Sequence, residues 1–271
     1  MTERPAGEAL LDALEQGRVR VAERDAAGEW IVHAWVKEAL LEIFRSSPTA
    51  SHPTGTADAG FVDKRAFPPR RFRPEDGVRL VPGGSAVRRG AYLAPGVVCM
   101  PPMYVNVGAW VGAGTMIDSH ALVGSCAQVG ERVHLSAGAQ LGGVLEPARA
   151  RPVIVEDDAL VGGNCGLFDG VLVGRGAVIA AGVQLTASTP VFDLVREEQL
   201  GRDPGRPPAI PPDAVVIPGT RPARGAYAAA HGLQQACALI VKYRDARTDA
   251  ATALEDALRG PAGPAPGAPH A

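Results

Sequence analysis

Aliphatic residues recur every six positions through the middle of the chain. Val105, Val111, Ile117, Val123, Val129, Leu135 and Leu141 form one unbroken ladder, and Val155, Val161, Leu167, Val173, Ile179 and Leu185 resume it. The position four residues after a rung is small or slim, as at Ala109, Thr115, Ala121, Ala127, Val133 and Ala139, then Ala159, Cys165, Val171, Ala177, Val183 and Thr189. Only after Leu141 does a bulkier residue, Leu145, take that slot. Glycine often follows the rung directly, at Gly112, Gly124, Gly130, Gly142, Gly162 and Gly174. A period of six is too short for stacked helical hairpins, whose units need about 20 residues or more. It predicts a coil in which each hexad supplies one short strand and one tight corner, with three hexads closing a triangular turn. Val105 then stacks on Val123, and Val123 on Leu141, each rung contributing roughly 1.5–3 kcal/mol of apolar burial.

The flanks follow other periods. Leu10, Leu11 and Leu14 lie at helical spacing, and residues 34–45 read as an amphipathic helix. Between them, residues 18–22 and 30–32 flank the turn-like stretch 25–28 and read as a hairpin. The expected organisation is a mixed α/β cap over residues 1–80, the repeat over 81–191, a strand-and-helix extension over 192–259, and a low-complexity, disordered tail over 260–271. Within the extension, residues 214–217 and 237–242 read as strands and residues 248–259 as a helix, whereas 192–222 is otherwise proline-rich and irregular. The ladder gains two residues between Leu141 and Val155, around Pro147 and Pro152, so a loop leaves the prism there. Loops on a rigid scaffold tend to carry function.

Composition narrows the classes. Hydrophobic residues make up 46% of the chain, enough for a substantial core, and the low aromatic share of 5% suits a prism filled with aliphatic side chains. A formal net charge of -2 gives no electrostatic case for nucleic acid or an anionic membrane surface. No apolar run approaches the roughly 18 residues of a membrane span, and the charged N-terminus lacks a signal core. Cys99, Cys126, Cys165 and Cys237 form no CxxC pair and read as buried free thiols, which makes the cytoplasm the expected compartment.

Prisms of this kind commonly serve acyl-CoA-dependent transferases, because a long thioester substrate fits the groove between two flat walls. Residues 103–147 (MYVNVGAWVGAGTMIDSHALVGSCAQVGERVHLSAGAQLGGVLEP) resemble the tetrahydrodipicolinate N-succinyltransferase family almost position by position. Residues 20–45, 78–96 and 238–259 resemble it as well, so the likeness covers most of residues 18–259. The resemblance implies a left-handed parallel β-helix, a homotrimer with sites between neighbouring subunits, and no permanently bound cofactor. It implies transfer of succinyl from succinyl-CoA, as co-substrate, to the amine of tetrahydrodipicolinate in its open 2-amino-6-oxopimelate form. Handedness rests on the resemblance alone, since parallel crossovers are normally right-handed.

The resemblance also nominates residues. Asp118, in GTMIDSH, matches a substrate-binding and catalytic aspartate; by hexad pattern alone it is equally a corner residue. Arg79, in GVRLVP, matches an arginine that binds a substrate carboxylate, a task suited to a planar two-pronged donor. Gly142 and Gly143 either bring a backbone N–H close to the thioester or simply turn the chain. Lys242, Arg244 and Arg247 either meet CoA phosphates or form a solvated face. One departure stands out: where many family members carry a glutamate proposed as acid/base, this chain has Gly166, and Asp169 three residues later aligns with a second acidic position. Proton transfer then falls to Asp169, to Asp118 alone or to water. His120 replaces a common aromatic and reads as a proton shuttle or as an outer-face histidine, while His134 reads as structural. Three rival functions remain: an acetyl-CoA enzyme for the same acceptor, a zinc enzyme of the γ-carbonic-anhydrase type, and a non-catalytic interaction module. The zinc reading needs three converging histidines, and the repeat holds only His120 and His134.

Overall fold

The computed structural model describes residues 4–52, 60–201 and 207–245. The protein is mainly β, and most of its strands are two residues long and paired in parallel with the equivalent strand three hexads away. Three walls result. The first holds Arg79–Leu80, Val98–Cys99, Met116–Ile117, His134–Leu135, Leu160–Val161 and Val178–Ile179. The second holds Ala86–Val87, Tyr104–Val105, Leu122–Val123, Gln140–Leu141, Gly166–Leu167 and Gln184–Leu185. The third holds Tyr92–Leu93, Trp110–Val111, Gln128–Val129, Ile154–Val155, Leu172–Val173 and Ala209–Ile210.

Every rung of the ladder is the second residue of its strand and is fully buried, from Val105 to Leu185. Val105, Val123 and Leu141 pair in register, as the spacing predicts. The slim residues from Ala109 to Val183 are buried too, whereas Thr189 is half-buried, and rungs and slim positions together form one continuous core. Corners follow from local stereochemistry. The residue three places after a rung takes positive φ, as at Gly108 (φ 73), Gly114 (φ 69), His120 (φ 61), Arg132 (φ 53), Asp158 (φ 61) and Asn164 (φ 55). Glycine, asparagine and aspartate tolerate this region best. The glycine directly after a rung has a different cause. A Cβ on Gly112 would stand 2.6 Å from the Gly130 carbonyl of the next coil, so the corner closes only without a side chain.

Parallel pairing starts before residue 81 and continues past 191. Val87, Leu93 and Cys99 extend the ladder upstream, and Ile210 and Val216 extend it downstream. Two excursions leave the column, over 142–153 and from 186 until the chain returns at Ala209, both between the second and third walls. The second is tied down by Asp193, whose buried carboxylate accepts from the Tyr243 hydroxyl at 2.5 Å and from the Val195 and Arg196 amides. Ala214–Pro222 is one long strand rather than a short one, and pairs antiparallel with Gln234–Tyr243, so the first wall widens into a hairpin. The expected helix over 248–259 and the tail over 260–271 lie outside the described residues.

The N-terminal residues sit on the third wall and its edge. Helix α1 (Gly7–Glu15) buries Leu10, Leu11 and Leu14, and helix α2 (Ala34–Ser46) buries Val36, Leu40 and Ile43. Strands β1 (Ala22–Arg24) and β2 (Trp30–Val32) form an antiparallel hairpin that begins at Ala22, later than the expected residue 18. This small second core closes on Val107 and Cys126 of the column. All four cysteines are free and buried, and burial pushes the Cys99 and Cys126 thiols up to about 12.

Leu135 lies mid-column with no exposed surface. Leu135→Ala is expected to lower the unfolding free energy by about 2–5 kcal/mol in urea titration, because a stacked column cannot collapse around the cavity. A loss well below 1 kcal/mol would contradict the stacked core.

Candidate functional site

Asp118 directly follows the rung Ile117, at the corner between the first and second walls. Its backbone N–H donates to the Leu135 carbonyl of the next coil (2.9 Å), which fixes the corner. One carboxylate oxygen accepts from the Ser119 N–H at 2.7 Å. The carboxylate is half-buried and forms no ion pair among the described residues. Neighbouring coils place Met100 and Ser136 at the equivalent corner, so Asp118 is the only acid in that short stack.

Arg79 shares its wall. It heads the strand Arg79–Leu80, which aligns through Val98 with Met116, two strand steps away. At about 4.8 Å per step, the two residues stand roughly 10 Å apart along the axis. Arg79 is exposed, and its guanidinium has no partner among the described residues. A cation and a carboxylate so placed suit the two ends of an extended zwitterionic acceptor, with each group binding its opposite.

Gly142 and Gly143 begin the first excursion at the other edge of the second wall. Their amides differ. The Gly142 N–H is spent on the Leu167 carbonyl at 2.8 Å, whereas the Gly143 N–H makes no hydrogen bond among the described residues. A Cβ on Gly143 would lie 2.8 Å from the Ser125 amide nitrogen, so this exposed backbone needs glycine. Sequence reasoning missed what holds the excursion. Lys37 of α2 is fully buried and donates from Nζ to the Ala150 carbonyl at 2.7 Å, and burial draws its pKa down. The available signal was helical spacing, which puts Lys37 next to Val36 on the buried face of α2.

The other nominated residues lie apart. Asp169 has positive φ (54) at the corner between the second and third walls, and its Oδ2 accepts from the Ala187 N–H at 3.1 Å in the next coil. It is two coils further along than Asp118 and on the opposite edge of the wall, so the two carboxylates do not converge within one chain. Gly166 is buried on the outer face of the second wall. A side chain added there would run into the Gln184 amide and the Phe168 ring. The Gln184 Nε2 is itself fixed, donating to the Asn164 carbonyl at 2.9 Å. Arg244 donates to the Asp158 and Gly176 carbonyls at 3.1 and 3.2 Å, and Lys242 contacts Asp245 at 3.3 Å. These cations flank the corner between the third and first walls, away from Gly142 and Gly143. Arg247 lies outside the described residues. His120 is exposed at its positive-φ corner, and His134 faces outward, half-buried, from the first wall.

Comparison with known proteins agrees with this architecture in both the cap and the repeat. Residues 2–45 match the family described as tetrahydrodipicolinate N-succinyltransferase N-terminal, and residues 152–187 match the hexapeptide repeat of succinyl-transferase. A 2,3,4,5-tetrahydropyridine-2,6-dicarboxylate N-succinyltransferase of Bradyrhizobium diazoefficiens is 43% identical, over 94% of this chain and 90% of its own. Proteins of the same description from Paramagnetospirillum magneticum and Acinetobacter baylyi are 44% and 42% identical, over 94% of this chain and 90% and 89% of theirs. With likeness spread over nearly its whole length, the chain belongs to the tetrahydrodipicolinate N-succinyltransferase family.

Proposed function

We propose that this protein transfers the succinyl group of succinyl-CoA to the amine of tetrahydrodipicolinate, in its open 2-amino-6-oxopimelate form, within lysine and diaminopimelate biosynthesis. The observation that carries the reading is 43% identity over 94% of the chain to relatives described as N-succinyltransferases of that substrate. The presence of Arg79 and Asp118 on one face of the column supports it. In this reading succinyl-CoA is a co-substrate, the column is a left-handed β-helix, the enzyme works in the cytoplasm, and three copies assemble with sites between them. The outward residues Val98, Met116, Leu160 and Val178 of the first wall are half-buried and apolar, with His134 between Met116 and Leu160, a surface suited to a second copy.

The chemistry is an acyl transfer. The amine nitrogen attacks the thioester carbonyl carbon, forming the C–N bond as the C–S bond breaks. Asp118 takes the amine proton, and the departing CoA thiolate is protonated as it leaves. Arg79 pairs with an acceptor carboxylate. The uncommitted Gly143 N–H, at the opposite edge of the second wall from Asp118, is the donor for the developing oxyanion when a neighbouring copy brings it to the site, held by the excursion that Lys37 anchors. Asp169 serves the corner through its bond to Ala187 rather than carrying a proton. Lys242 and Arg244 flank the widened hairpin and meet CoA phosphates only if a neighbouring copy brings the nucleotide there.

Three outcomes are expected. Thiol release with 2-aminopimelate as acceptor should be at least about tenfold faster with succinyl-CoA than with acetyl-CoA, since only succinyl presents a distal carboxylate to a cation. A preference for acetyl-CoA overturns the donor assignment. Asp118→Asn should lower kcat by about 10²–10⁴-fold with far-UV circular dichroism unchanged. Wild-type turnover in that variant discredits the site. Gly166→Glu should lower Tm and give no gain in kcat, because Gln184 and Phe168 fill the space. A rise in kcat would show that a carboxylate is accommodated there after all.

A further inference from the structure

The third wall differs from the other two in being roofed. Its outward residues Gln128 and Ile154 are almost completely buried, at 1% and 0% exposure. Between this wall and the β1–β2 hairpin lies a cavity of about 580 Å³, lined in part by Arg20, Trp30, Tyr92, Trp110, Glu156 and Asp157. Such a volume is typical of small-molecule sites. Arg79 and Asp118 belong to another wall and corner, so the proposed transfer chemistry makes no use of this space.

Three arginines around the cavity, Arg20, Arg24 and Arg175, face three carboxylates, Glu131, Glu156 and Asp157, but the direct pairing is uneven. Glu156 forms an ion pair with Arg24 and accepts from the Trp30 indole N–H at 2.7 Å and the Arg175 amide at 3.1 Å. Asp157 takes the Arg175 guanidinium at 2.6 Å and the Glu131 amide at 3.0 Å. Both carboxylates are therefore matched. Arg20 is not: among the described residues no carboxylate lies within ion-pair distance of it, and its one hydrogen bond runs from Nε to the Gln128 Oε1 at 3.2 Å. Its guanidinium is held 4.0 Å over the Trp110 ring and 5.9 Å from the Trp30 ring, and Trp110 in turn leans on Tyr92 at 4.1 Å. Burial draws its pKa down to about 10. Glu23 and Asp157 offset part of that burial cost at longer range, but neither takes a hydrogen bond from Arg20. With Nε committed, the two terminal nitrogens present an end-on fork, the shape that a carboxylate fits.

We propose that this cavity binds a small-molecule monocarboxylate, with its carboxylate on the terminal nitrogens of Arg20 and a flat or apolar body in the cavity beside the aromatic side chains. A single carboxylate matches the one guanidinium whose terminal nitrogens make no hydrogen bond among the described residues. A doubly charged anion such as phosphate meets the nearby Glu156 and Asp157 carboxylates and is disfavoured. Occupancy joins the β1–β2 hairpin to the column at a second point, beside the Arg24–Glu156 pair.

Calorimetric titration of the full chain tests this with benzoate, benzamide and inorganic phosphate as probes. Benzoate should bind with one site per chain, and benzamide and phosphate at least about tenfold more weakly. Arg20→Gln should weaken benzoate by about tenfold or more and Arg20→Lys by less, whereas Arg79→Gln should leave benzoate binding unchanged. The proposal is overturned if benzoate shows no saturable binding up to about 10 mM, if benzamide or phosphate binds as well, or if Arg79→Gln abolishes the signal. The comparison of benzoate with benzamide uses the unaltered chain, so it decides the matter even if an Arg20 variant fails to fold.

Discussion

Coil-to-coil registry is the constraint on which the molecule depends. Each strand from Arg79–Leu80 to Gln184–Leu185 is only two residues long and gains stability almost entirely from its neighbours one turn above and below. The rung must therefore be aliphatic, the slot four places on must be slim, and several corners must lack a side chain because the next coil's backbone occupies the space. A single dislocated rung would misplace every corner beyond it. The same rigidity makes the column a good template, since residues on its outer faces inherit fixed spacings. Arg79 and Asp118 stand where they do because two strand steps separate them, not because either is held by an ion pair.

Much of this was legible in the sequence because the period is short and strict. The rungs from Val105 to Leu185 are buried without exception. The limits of the column were less legible. Val87, Leu93 and Cys99 keep the period, but Pro95, Pro101 and Pro102 break up the surrounding text. Ile210 and Val216 lose the phase of the ladder because the excursion over 186–208 intervenes, although in space they simply take up the next coil. Periodicity reads local geometry and is blind to a strand that returns after a detour.

Side-chain roles were legible only where a residue acts through its own neighbourhood. The pattern offered Asp118 as a corner or an acid; each carboxylate accepts from a backbone amide, Ser119 for Asp118 and Ala187 for Asp169, and only the wall shared with Arg79 distinguishes Asp118. The cluster of cations after residue 241 gave no hint that Arg244 would spend its donors on the Asp158 and Gly176 carbonyls. Nor did Lys37 or Arg20 stand out, since their partners Ala150 and Trp110 are remote in sequence. Long-range contacts between a helix or hairpin and a wall follow from how the cap docks, and no local period encodes that.

Both excursions depart from the same edge of the prism. That edge works as a tolerant seam: chain can be added or removed there while the rungs above and below keep their phase. Variation in length among related proteins would then gather along one line of the surface, remodelling whatever lies beside it and leaving the opposite edge, with Asp118, untouched. The architecture thus separates the part that is free to drift from the part that must stay in register.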